Sequence, residues 1–379
     1  MIKIAVVTSN RADYGLLQPL IINLSEDHDV EFQLFVTGSH LDEKYGMTKN
    51  EILEDGLVIT ESIKIPTPKS DEVSTVYSIS MALIKFEKSL EVHEPDWVIL
   101  LGDRFEIFAF ALAAFLTKKR IAHISGGEVT SGAMDDVFRH NITKMSELHF
   151  TSHDVYKNRV VQLGESPSKV FNFGSLSTEN FSNYEDSDPF IDIDIPSEFK
   201  IGLCTVHPVT SGEDSELILD SIFEELSKSN DMYIIFTASN MDDGGDLLNE
   251  KIQSYCKVNK SKSVYYQSLG KNKFFSALKR IDFMIGNSSS GLTEAPLFSL
   301  PSINIGTRQN GRIMPPSVIQ CPFPNGSIKE SIAAALKIKS LDSHRYGDGK
   351  ASSHIIREIK RANTSLPQTK VFHDVASYS

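Results

Sequence analysis

Residues 97–116 read WVILLGDRFEIFAFALAAFL, and this stretch decides the fold class. The apolar residues Trp97–Leu101 predict a buried β-strand, and the long apolar stretch Glu106–Leu116 predicts a buried helix. A short polar turn, Gly102–Arg104, follows the strand. A strand that leads directly into a helix is the repeating unit of a parallel sheet covered by helices. The stretch therefore predicts an α/β protein.

The same alternation extends through the first half of the chain. Short runs rich in β-branched residues predict further strands at Ile2–Val7, Glu31–Val36, Ile121–Ile124 and His149–Phe150. Segments with helical periodicity predict helices at Leu16–Leu24, Thr75–Val92 and Val137–Ser146. We expect these elements to form a first Rossmann-like domain, residues 1–181.

A segment rich in Asp, Ser and Pro, Ser182–Ser197, lacks helical periodicity and predicts an interdomain linker. Beyond it, strands are predicted at Ile201–Val206, Tyr233–Thr237, Val264–Tyr266, Phe283–Ile285 and Ser302–Ile305. The helices predicted between them are Ser215–Ser227, Asp246–Lys257, Lys271–Lys279 and Leu292–Phe298. We expect a second Rossmann-like domain, residues 198–365, a C-terminal tail, residues 366–379, and ligand-binding loops after the strands, facing a cleft.

Composition and charge restrict the class of partner. The chain has 379 residues, of which 40% are hydrophobic and 23% are charged, and this suits two globular domains. A net charge of -12 without a long run of Lys and Arg argues against nucleic acid or an anionic membrane as partner. Three separated cysteines, an N-terminus without a signal-peptide pattern and an apolar run (Ile107–Leu116) too short to span a bilayer predict a cytoplasmic protein.

The loop after the first strand, SNRADYG at residues 9–15, contains an arginine and an acid. Arg11 would lie beside the positive end of the next helix and would suit a phosphate group. The alternative is that Arg11 is a surface residue and that Asp13 caps the helix. The loop has no G-x-G-x-x-G motif, so no dinucleotide cofactor is predicted.

Two more loops of the first half carry groups capable of acid–base chemistry. Asp103 and Arg104 follow a strand and form either part of a site or a structural ion pair, and Asp103 could instead cap a helix. His123 and Glu128 flank the next strand end, in HISGGE, and could transfer protons. The sequence has no His-x-x-x-His motif or cysteine pair beside them, so no metal site is predicted.

The stretch GAMDDVFRH, residues 132–140, opens a helix with two acids. Asp135 could take part in proton transfer. In the alternative, Asp135 caps the helix and Asp136 forms an ion pair with His140, four residues later.

In the second half, polar groups again follow predicted strands. The turn GNSSSGLTE, residues 286–294, offers backbone N–H groups and hydroxyls to a diphosphate, against the alternative of an ordinary serine cap. Glu294, one turn into the helix, could reach a ribose diol, and Arg308 is another candidate anion-binding group. His207 and Asn240 end the first two strands of this half.

Taken in order, these motifs resemble the hydrolysing UDP-N-acetylglucosamine 2-epimerases of sialic acid biosynthesis, the bacterial members in particular. The resemblance covers nearly the whole chain and rests on SNRADYG, GDRFEIF, HISGGEVTSGAMDDVFRHNITKMSELHF, HPVT, GNSSSGLTEAP and INIGTRQNGR. It implies a glycosyltransferase-B-like (GT-B-like) fold with the active site between two Rossmann-like domains. It also implies conversion of UDP-GlcNAc and water to ManNAc and UDP through a glycal, without a cofactor.

The resemblance also implies roles for individual residues. Asp103 and Asp135 match family carboxylates of the acid–base chemistry. Arg11, Ser288, Ser289 and Arg308 match positions that contact the diphosphate, and Glu294 matches the acid that binds ribose. His207 and Asn240 match positions on the nucleotide or substrate side.

One position departs from the family pattern. Several relatives have a catalytic Glu in His-Ile-Glu-Gly-Gly, where this chain has Ser125, which cannot act as a base near neutral pH. We hypothesise that Glu128, Asp135 or His123 takes over the role.

Other substrates and classes stay open at this point. Relatives in legionaminic acid synthesis perform the same chemistry on UDP-2,4-diacetamido-2,4,6-trideoxyglucose. A non-hydrolysing epimerase, a GT-B glycosyltransferase and a UDP-sugar-binding protein are further alternatives. By resemblance we expect a homodimer or a homotetramer.

Overall fold

The computed structural model describes residues 1–68, 73–130, 134–209, 214–239, 244–338, 346–364 and 370–375. The chain divides into two units. Unit 1 consists of Met1–Glu128, Met134–Asn180 and Tyr346–Ser379, and unit 2 consists of Val129–Ala133 and Phe181–Arg345.

Unit 1 contains a seven-stranded parallel sheet with the strand order β3-β2-β1-β4-β5-β6-β7. The central strand β4 is buried along its whole length. The strands are β1 (Ile2–Thr8), β2 (Val30–Thr37), β3 (Glu61–Ile63), β4 (Trp97–Leu101), β5 (Arg120–Ile124), β6 (Leu148–Thr151) and β7 (Val170–Asn172).

Helices cover both faces of this sheet, since two separate apolar clusters lie against it. They are α1 (Arg11–Ser25), α2 (Lys49–Glu54), α3 (Thr75–His93), α4 (Phe105–Leu116), α5 (Met134–Met145), α6 (Asp154–Gln162) and α7 (Leu176–Ser182). Because all the strands are parallel, their carboxyl ends share one edge of the sheet. The segments that begin at this edge carry Asp13, in the first turn of α1, and Asp103 and Glu128, in loops.

Unit 2 contains a six-stranded parallel sheet with the order β10-β9-β8-β11-β12-β13. Its strands are β8 (Lys200–Thr205), β9 (Met232–Thr237), β10 (Ser263–Tyr266), β11 (Phe283–Gly286), β12 (Ser302–Ile305) and β13 (Val318–Cys321). Its helices are α8 (Ser215–Lys228), α9 (Gly245–Val258), α10 (Gly270–Leu278), α11 (Ser290–Thr293) and α12 (Ile328–Ala335). The prediction of two parallel-sheet α/β domains is confirmed.

The last helix, α13 (Ala351–Asn363), belongs to unit 1, although the predicted second domain runs to residue 365. Its apolar face, which includes Ile355 and Ile359, is buried in the same cluster as α1. The Glu179 carboxylate accepts hydrogen bonds from the backbone N–H of Ser352, at 2.9 Å, and from its hydroxyl, at the first turn of the helix. Periodicity predicts that a helix buries one face, but it does not predict which core receives that face.

The predicted linker also differs from expectation. Phe190 is buried in a core cluster of unit 2, and Tyr184, Ile193 and Ile195 pack against that cluster. Asp186 forms ion pairs with Lys279 and Arg280, each at 2.6 Å. The apolar residues spaced among the acids therefore make this segment part of unit 2.

Candidate active site

The centre of the polar edge of unit 1 is a buried arginine, Arg139, on α5. Its Nη2 donates to the carboxylate of Asp103, in the loop after β4. Its Nη1 donates to the carbonyl oxygen of Ser125 at 3.0 Å and lies 3.8 Å from the Glu128 carboxylate, in the loop after β5. One guanidinium thus joins two carboxylates from adjacent loops, and we call this group the Arg139 cluster.

Glu128 and Asp103 keep part of their surface accessible, with side-chain exposures of 17% and 19% against 4% for Arg139. Glu128 also accepts a hydrogen bond from the Ser152 hydroxyl at 3.2 Å. The carboxylates can therefore meet a ligand while the arginine that holds them stays inside the fold.

His123 is fully buried at the end of β5. Its Nε2 donates to the Gly102 carbonyl oxygen at 2.8 Å, because a carbonyl can only accept, and its Nδ1 lies 3.1 Å from the Thr143 hydroxyl. Burial lowers the pKa of His123 to about 3, so the ring is neutral near pH 7. These bonds favour a positioning role for His123 over the acid–base role considered for it above.

Asp103 and Arg104 each bond to a partner other than the adjacent residue. Asp103 pairs with Arg139, whereas Arg104 Nε donates to the buried carboxylate of Glu106 at 3.2 Å. The N-cap position of α4 is occupied by Arg104, so the alternative of Asp103 as the helix cap is wrong.

Asp13, in the first turn of α1, lies at the same sheet edge after β1, the neighbour of β4. The cap of α1 is Asn10, whose side chain accepts from the backbone N–H of Asp13 at 3.0 Å, so Asp13 is not the cap. The Asp13 carboxylate accepts from the Ser9 hydroxyl and the Asn10 amide, each at 2.7 Å. Burial raises its pKa to about 6; Arg104 opposes the rise, and Glu106 adds to it.

Arg11, a predicted diphosphate ligand, is bound to a carboxylate. Its Nε donates to both carboxylate oxygens of Glu51, at 2.8 and 2.9 Å. About one third of the Arg11 side chain remains exposed.

Asp135 lies exposed in the first turn of α5, which begins at Met134. The predicted ion pair four residues apart is confirmed, with His140 Nε2 3.5 Å from Asp136. Asp135 and Arg139 are also four residues apart and therefore lie on one side of the helix.

In unit 2, one buried amide organises three strand ends. Asn287, after β11, accepts from the backbone N–H of His207 at 2.7 Å and donates to its carbonyl at 2.9 Å. The Asn287 carbonyl accepts from Arg308 at 3.1 Å and from Gln309 at 2.7 Å, both after β12. A Cβ on the preceding Gly286 would lie 2.0 Å from the Thr205 carbonyl oxygen, so the turn approaches β8 more closely than a side chain allows.

The serine-rich turn follows directly. Ser288 Oγ accepts from the backbone N–H of Ser290 at 3.3 Å, and Ser289, at the N-cap position of α11, forms no capping bond with its side chain. The alternative of an ordinary serine cap is therefore not supported at Ser289. Burial raises the pKa of Glu294, whose carboxyl is hydrogen-bonded by Thr293 and Ser290.

His207 and Arg308 lie on the loops that Asn287 connects. Burial, with a contribution from Arg308, lowers the pKa of His207 to about 3. The ring is thus neutral near pH 7 and offers one donor and one acceptor. The remaining predicted residue, Asn240, lies outside the described residues.

Three residues of these edges are absent from the predicted site. Arg139 and Asn287 lie inside motifs quoted above, and Arg139 stands four residues after Asp135, a spacing that could have indicated it. Arg312, in INIGTRQNGR, lies 3.5 Å from the Thr130 hydroxyl, and its charge opposes the rise in the pKa of Glu294. Its buried Nε has no hydrogen-bond partner among the described residues.

The described residues offer neither a cluster of metal ligands nor a membrane-spanning helix. No group of three or more His, Cys, Asp or Glu side chains there could hold a metal ion. No helix there is both long enough and apolar enough to cross a membrane.

Two parallel-sheet α/β units with polar groups at the carboxyl ends of their strands define a protein of the GT-B-like class. The family model described as UDP-N-acetylglucosamine 2-epimerase matches residues 22–360. The chain belongs to this family of enzymes, and the resemblance noted in the sequence is confirmed.

Individual relatives agree with this assignment. The chain is 39% identical to a GDP/UDP-N,N'-diacetylbacillosamine 2-epimerase (hydrolyzing) of Campylobacter jejuni, over 84% of this chain and 83% of the relative. It is 36% identical to the polysialic acid biosynthesis protein P7 of Escherichia coli, over 95% and 94%. Among solved structures, the Staphylococcus aureus MnaA–UDP co-structure has a TM-score of 0.78 at 18% identity, covering 99% of this chain and 100% of that one.

Proposed function

We propose that the protein is a hydrolysing UDP-N-acetylglucosamine 2-epimerase, which converts UDP-GlcNAc and water to ManNAc and UDP. The observation that carries the proposal is the Arg139 cluster, in which one buried cation holds two accessible carboxylates at the carboxyl edge of a sheet. Paired carboxylates suit a reaction that removes a proton from carbon and later returns one. The word "hydrolyzing" in the name of the Campylobacter jejuni relative supports the use of water.

In the proposed reaction, a carboxylate removes the C2 proton, and the C1–oxygen bond to UDP breaks with its electron pair leaving on UDP. The glycal that results has a C1=C2 double bond. Water then adds its oxygen to C1, and C2 receives a proton on the face opposite to the one that lost it. We assign these proton transfers to Asp103, Glu128 and Asp135.

Several relatives have a catalytic Glu at the position of Ser125, and we propose that Asp13 takes over its acid–base role. A carboxyl with a pKa of about 6 is populated in both protonation states near neutral pH, as acid–base catalysis requires. The strand that precedes Asp13, β1, pairs with β4, the strand that leads to Asp103. His123 would hold the Gly102 carbonyl and so position the Asp103 loop.

We assign UDP binding to unit 2. The hydroxyls and N–H groups of Ser288 and Ser289 and the guanidinium of Arg308 would bind the diphosphate, and Glu294 would bind the ribose. His207 and Asn240 would contact the nucleotide or the sugar, and Arg11 and Arg104 of unit 1 are further anion-binding candidates. The homo-oligomeric state, the cytoplasmic location and the lack of a cofactor stay predictions.

A second substrate is favoured by the name of a relative. The Campylobacter jejuni relative is named for diacetylbacillosamine, the 2,4-diacetamido-2,4,6-trideoxy sugar, at 39% identity. The same elimination and hydration would act on this sugar, because C1 and C2 carry the same groups in both substrates.

The test is proton NMR of UDP-GlcNAc incubated with the pure protein in D2O, without acceptor or added metal. Release of UDP together with ManNAc that carries deuterium at C2 is the expected result. Turnover only of the diacetamido-trideoxy sugar nucleotide would support the second substrate. Inertness toward both would overturn the epimerase proposal and favour a GT-B glycosyltransferase that needs an acceptor.

A further inference from the structure

The residues Lys370–His373 of unit 1 lie against the end of α5 and against Gly164 and Glu165, and we call them the C-terminal strap. Lys370 Nζ donates to the carbonyl oxygens of Lys144 and Ser146, each at 2.7 Å, and lies 3.3 Å from that of Thr143. These carbonyls belong to the last turn of α5 and the residue just after it. A helix leaves its last carbonyls without partners inside the helix, and a cation there also meets the negative end of the helix dipole.

The strap is held by a buried carboxylate, Glu165, which is 2% exposed. Glu165 accepts from Lys370 and Lys144, each at 2.6 Å, and from His149 Nε2 at 3.1 Å. Burial would raise the pKa of Glu165, but the three hydrogen bonds outweigh it and lower the pKa to about 2. Glu165 is therefore a negative charge throughout the neutral range.

Backbone and ring contacts add to the charged ones. The N–H of His373 donates to the Gly164 carbonyl at 2.9 Å, and a Cβ on Gly164 would lie 2.2 Å from the Phe372 ring. The Lys144 ammonium lies 5.1 Å from the centre of the same ring. Thus Lys144 of α5 contacts both Glu165 and the strap.

The helix end that the strap caps is one turn from the Arg139 cluster. Thr143 is bonded through its hydroxyl to the Arg139 carbonyl and to His123, and through its carbonyl to Lys370. Arg139 in turn bonds Asp103 and the Ser125 carbonyl. A continuous chain of bonds therefore leads from Lys370 to Asp103.

We propose that the C-terminal strap positions α5 for catalysis, with Lys370 capping the helix so that Arg139 holds Asp103 and Glu128 in place. This inference rests on the proposed function, because the cluster is assigned there to proton transfer. Lys370 touches none of the reacting groups and is a positioning residue. Without the strap the exposed carbonyls can bond to water, so the fold persists, while the last turns of α5 lose their fixed position.

The test compares three variants of the full chain. In Lys370→Met, kcat for UDP release is expected to fall about 10- to 100-fold, because small displacements of catalytic groups have effects of this size. Lys370→Arg keeps the charge and is expected to recover kcat to within about threefold of the wild type. Lys360→Met is the matched control, because Lys360 also pairs with two carboxylates of unit 1, Asp27 and Asp29, but lies away from α5, and its kcat should stay within about twofold.

Two further measurements separate positioning from general instability. The Kd for UDP is expected to be the same in Lys370→Met and the wild type, whereas amide hydrogen exchange should speed up in residues 139–145. Unchanged kcat in Lys370→Met, or a loss that Lys360→Met reproduces, would overturn the proposal. If Lys370→Met does not fold, Phe372→Ala, which keeps the charge, is expected to lower kcat in the same direction.

Failure of the epimerase proposal can be distinguished from failure of the strap proposal. A wild-type protein that releases UDP from neither sugar nucleotide contradicts the epimerase proposal and leaves hydrogen exchange as the readout of the strap. In that case, unchanged exchange over residues 139–145 in Lys370→Met would overturn the strap as well.

Discussion

The loops at the carboxyl edges of the two sheets are held together by different kinds of interaction. In unit 1 the loops are joined by buried charge, with Arg139 between Asp103 and Glu128. In unit 2 they are joined by an uncharged residue, Asn287, whose side-chain amide bonds to the His207 backbone and whose backbone carbonyl accepts from the Arg308 and Gln309 side chains. A buried ion pair is costly to desolvate and is weak evidence of stability alone, whereas a satisfied amide holds a loop at low cost.

In the proposed function, this difference gives each edge its own task. Carboxylates would repel a diphosphate, so the edge with Asp103 and Glu128 suits proton transfer. The edge with Asn287 leaves the N–H groups and hydroxyls of Ser288 and Ser289 for an anion. Four predictions test the contrast, beginning with the largest expected effect.

Replacing Arg139 by Met should give the largest loss of activity. It leaves two carboxylates close together without their shared cation, so kcat should fall by about 10²- to 10³-fold, as when a preorganised charge is removed from an active site. The variant should also lose about 3–5 kcal/mol of unfolding free energy, because a buried pair loses one partner. Steady-state UDP release and urea unfolding provide the two values.

If UDP binds at the edge of unit 2, the Arg139→Met variant should still bind UDP. Calorimetry on folded Arg139→Met should give a UDP affinity close to that of the wild type. A loss of UDP affinity as large as the loss of kcat would contradict the division of tasks between the edges.

Replacing Asn287 by Ala should act mainly on binding. The backbone N–H of His207 would lose its acceptor and the His207 carbonyl would lose its donor, at a cost of about 1–3 kcal/mol for each unsatisfied group. We expect the Kd for UDP to rise about 10- to 100-fold, because UDP would have to order the loosened loops when it binds. Isothermal calorimetry measures it, and an unchanged Kd would show that the Asn287 network does not organise the UDP site.

Asp13→Asn should change activity and stability in opposite directions. The folded pKa of Asp13 is about 6 and the model-peptide value is 3.8, so the unfolded state releases its proton first as pH rises. Stability is therefore lost between about pH 4 and pH 6, and the neutral Asn avoids this loss. With partial exposure taken into account, the variant should be about 1–2 kcal/mol more stable than the wild type at pH 8, with little difference at pH 4.

Its kcat should fall, and the limb of the pH–rate profile near pH 6 should disappear. Thermal unfolding at both pH values and a pH–rate profile check the prediction. A variant with full activity and an unchanged profile would exclude Asp13 from proton transfer.

The sequence predicts the central strands well because each is a continuous apolar run between turn residues, as Trp97–Leu101 shows. The edge strands β3 (ESI), β7 (VFN) and β13 (VIQC) were not predicted, and none of them contains a run of three apolar residues. The position of α13 depends on which core accepts its apolar face, and that is a tertiary property.

For the site, the sequence predicts which loops carry polar groups but not their partners. Adjacency favours a pair between Asp103 and Arg104, whereas the structure pairs Asp103 with Arg139, 36 residues away. Asp13 has the sequence context of a helix cap, and its raised pKa arises from burial beside Glu106, which only folding creates.

The smallest expected effect concerns Ser125, where the chain departs from the family pattern. Ser125 has a φ of +65°, a left-handed conformation that costs a residue with a side chain about 1 kcal/mol relative to glycine. Its backbone N–H donates to Phe150 and its carbonyl accepts from Arg139, and glycine keeps both groups. Ser125→Gly should therefore raise the unfolding free energy by about 0.5–1 kcal/mol and leave kcat unchanged. Urea unfolding and UDP release measure both, and a marked fall in kcat would show that the hydroxyl contacts the substrate. Since Arg139 contacts position 125 through the backbone carbonyl, the side chain at this position can vary while the cluster stays intact.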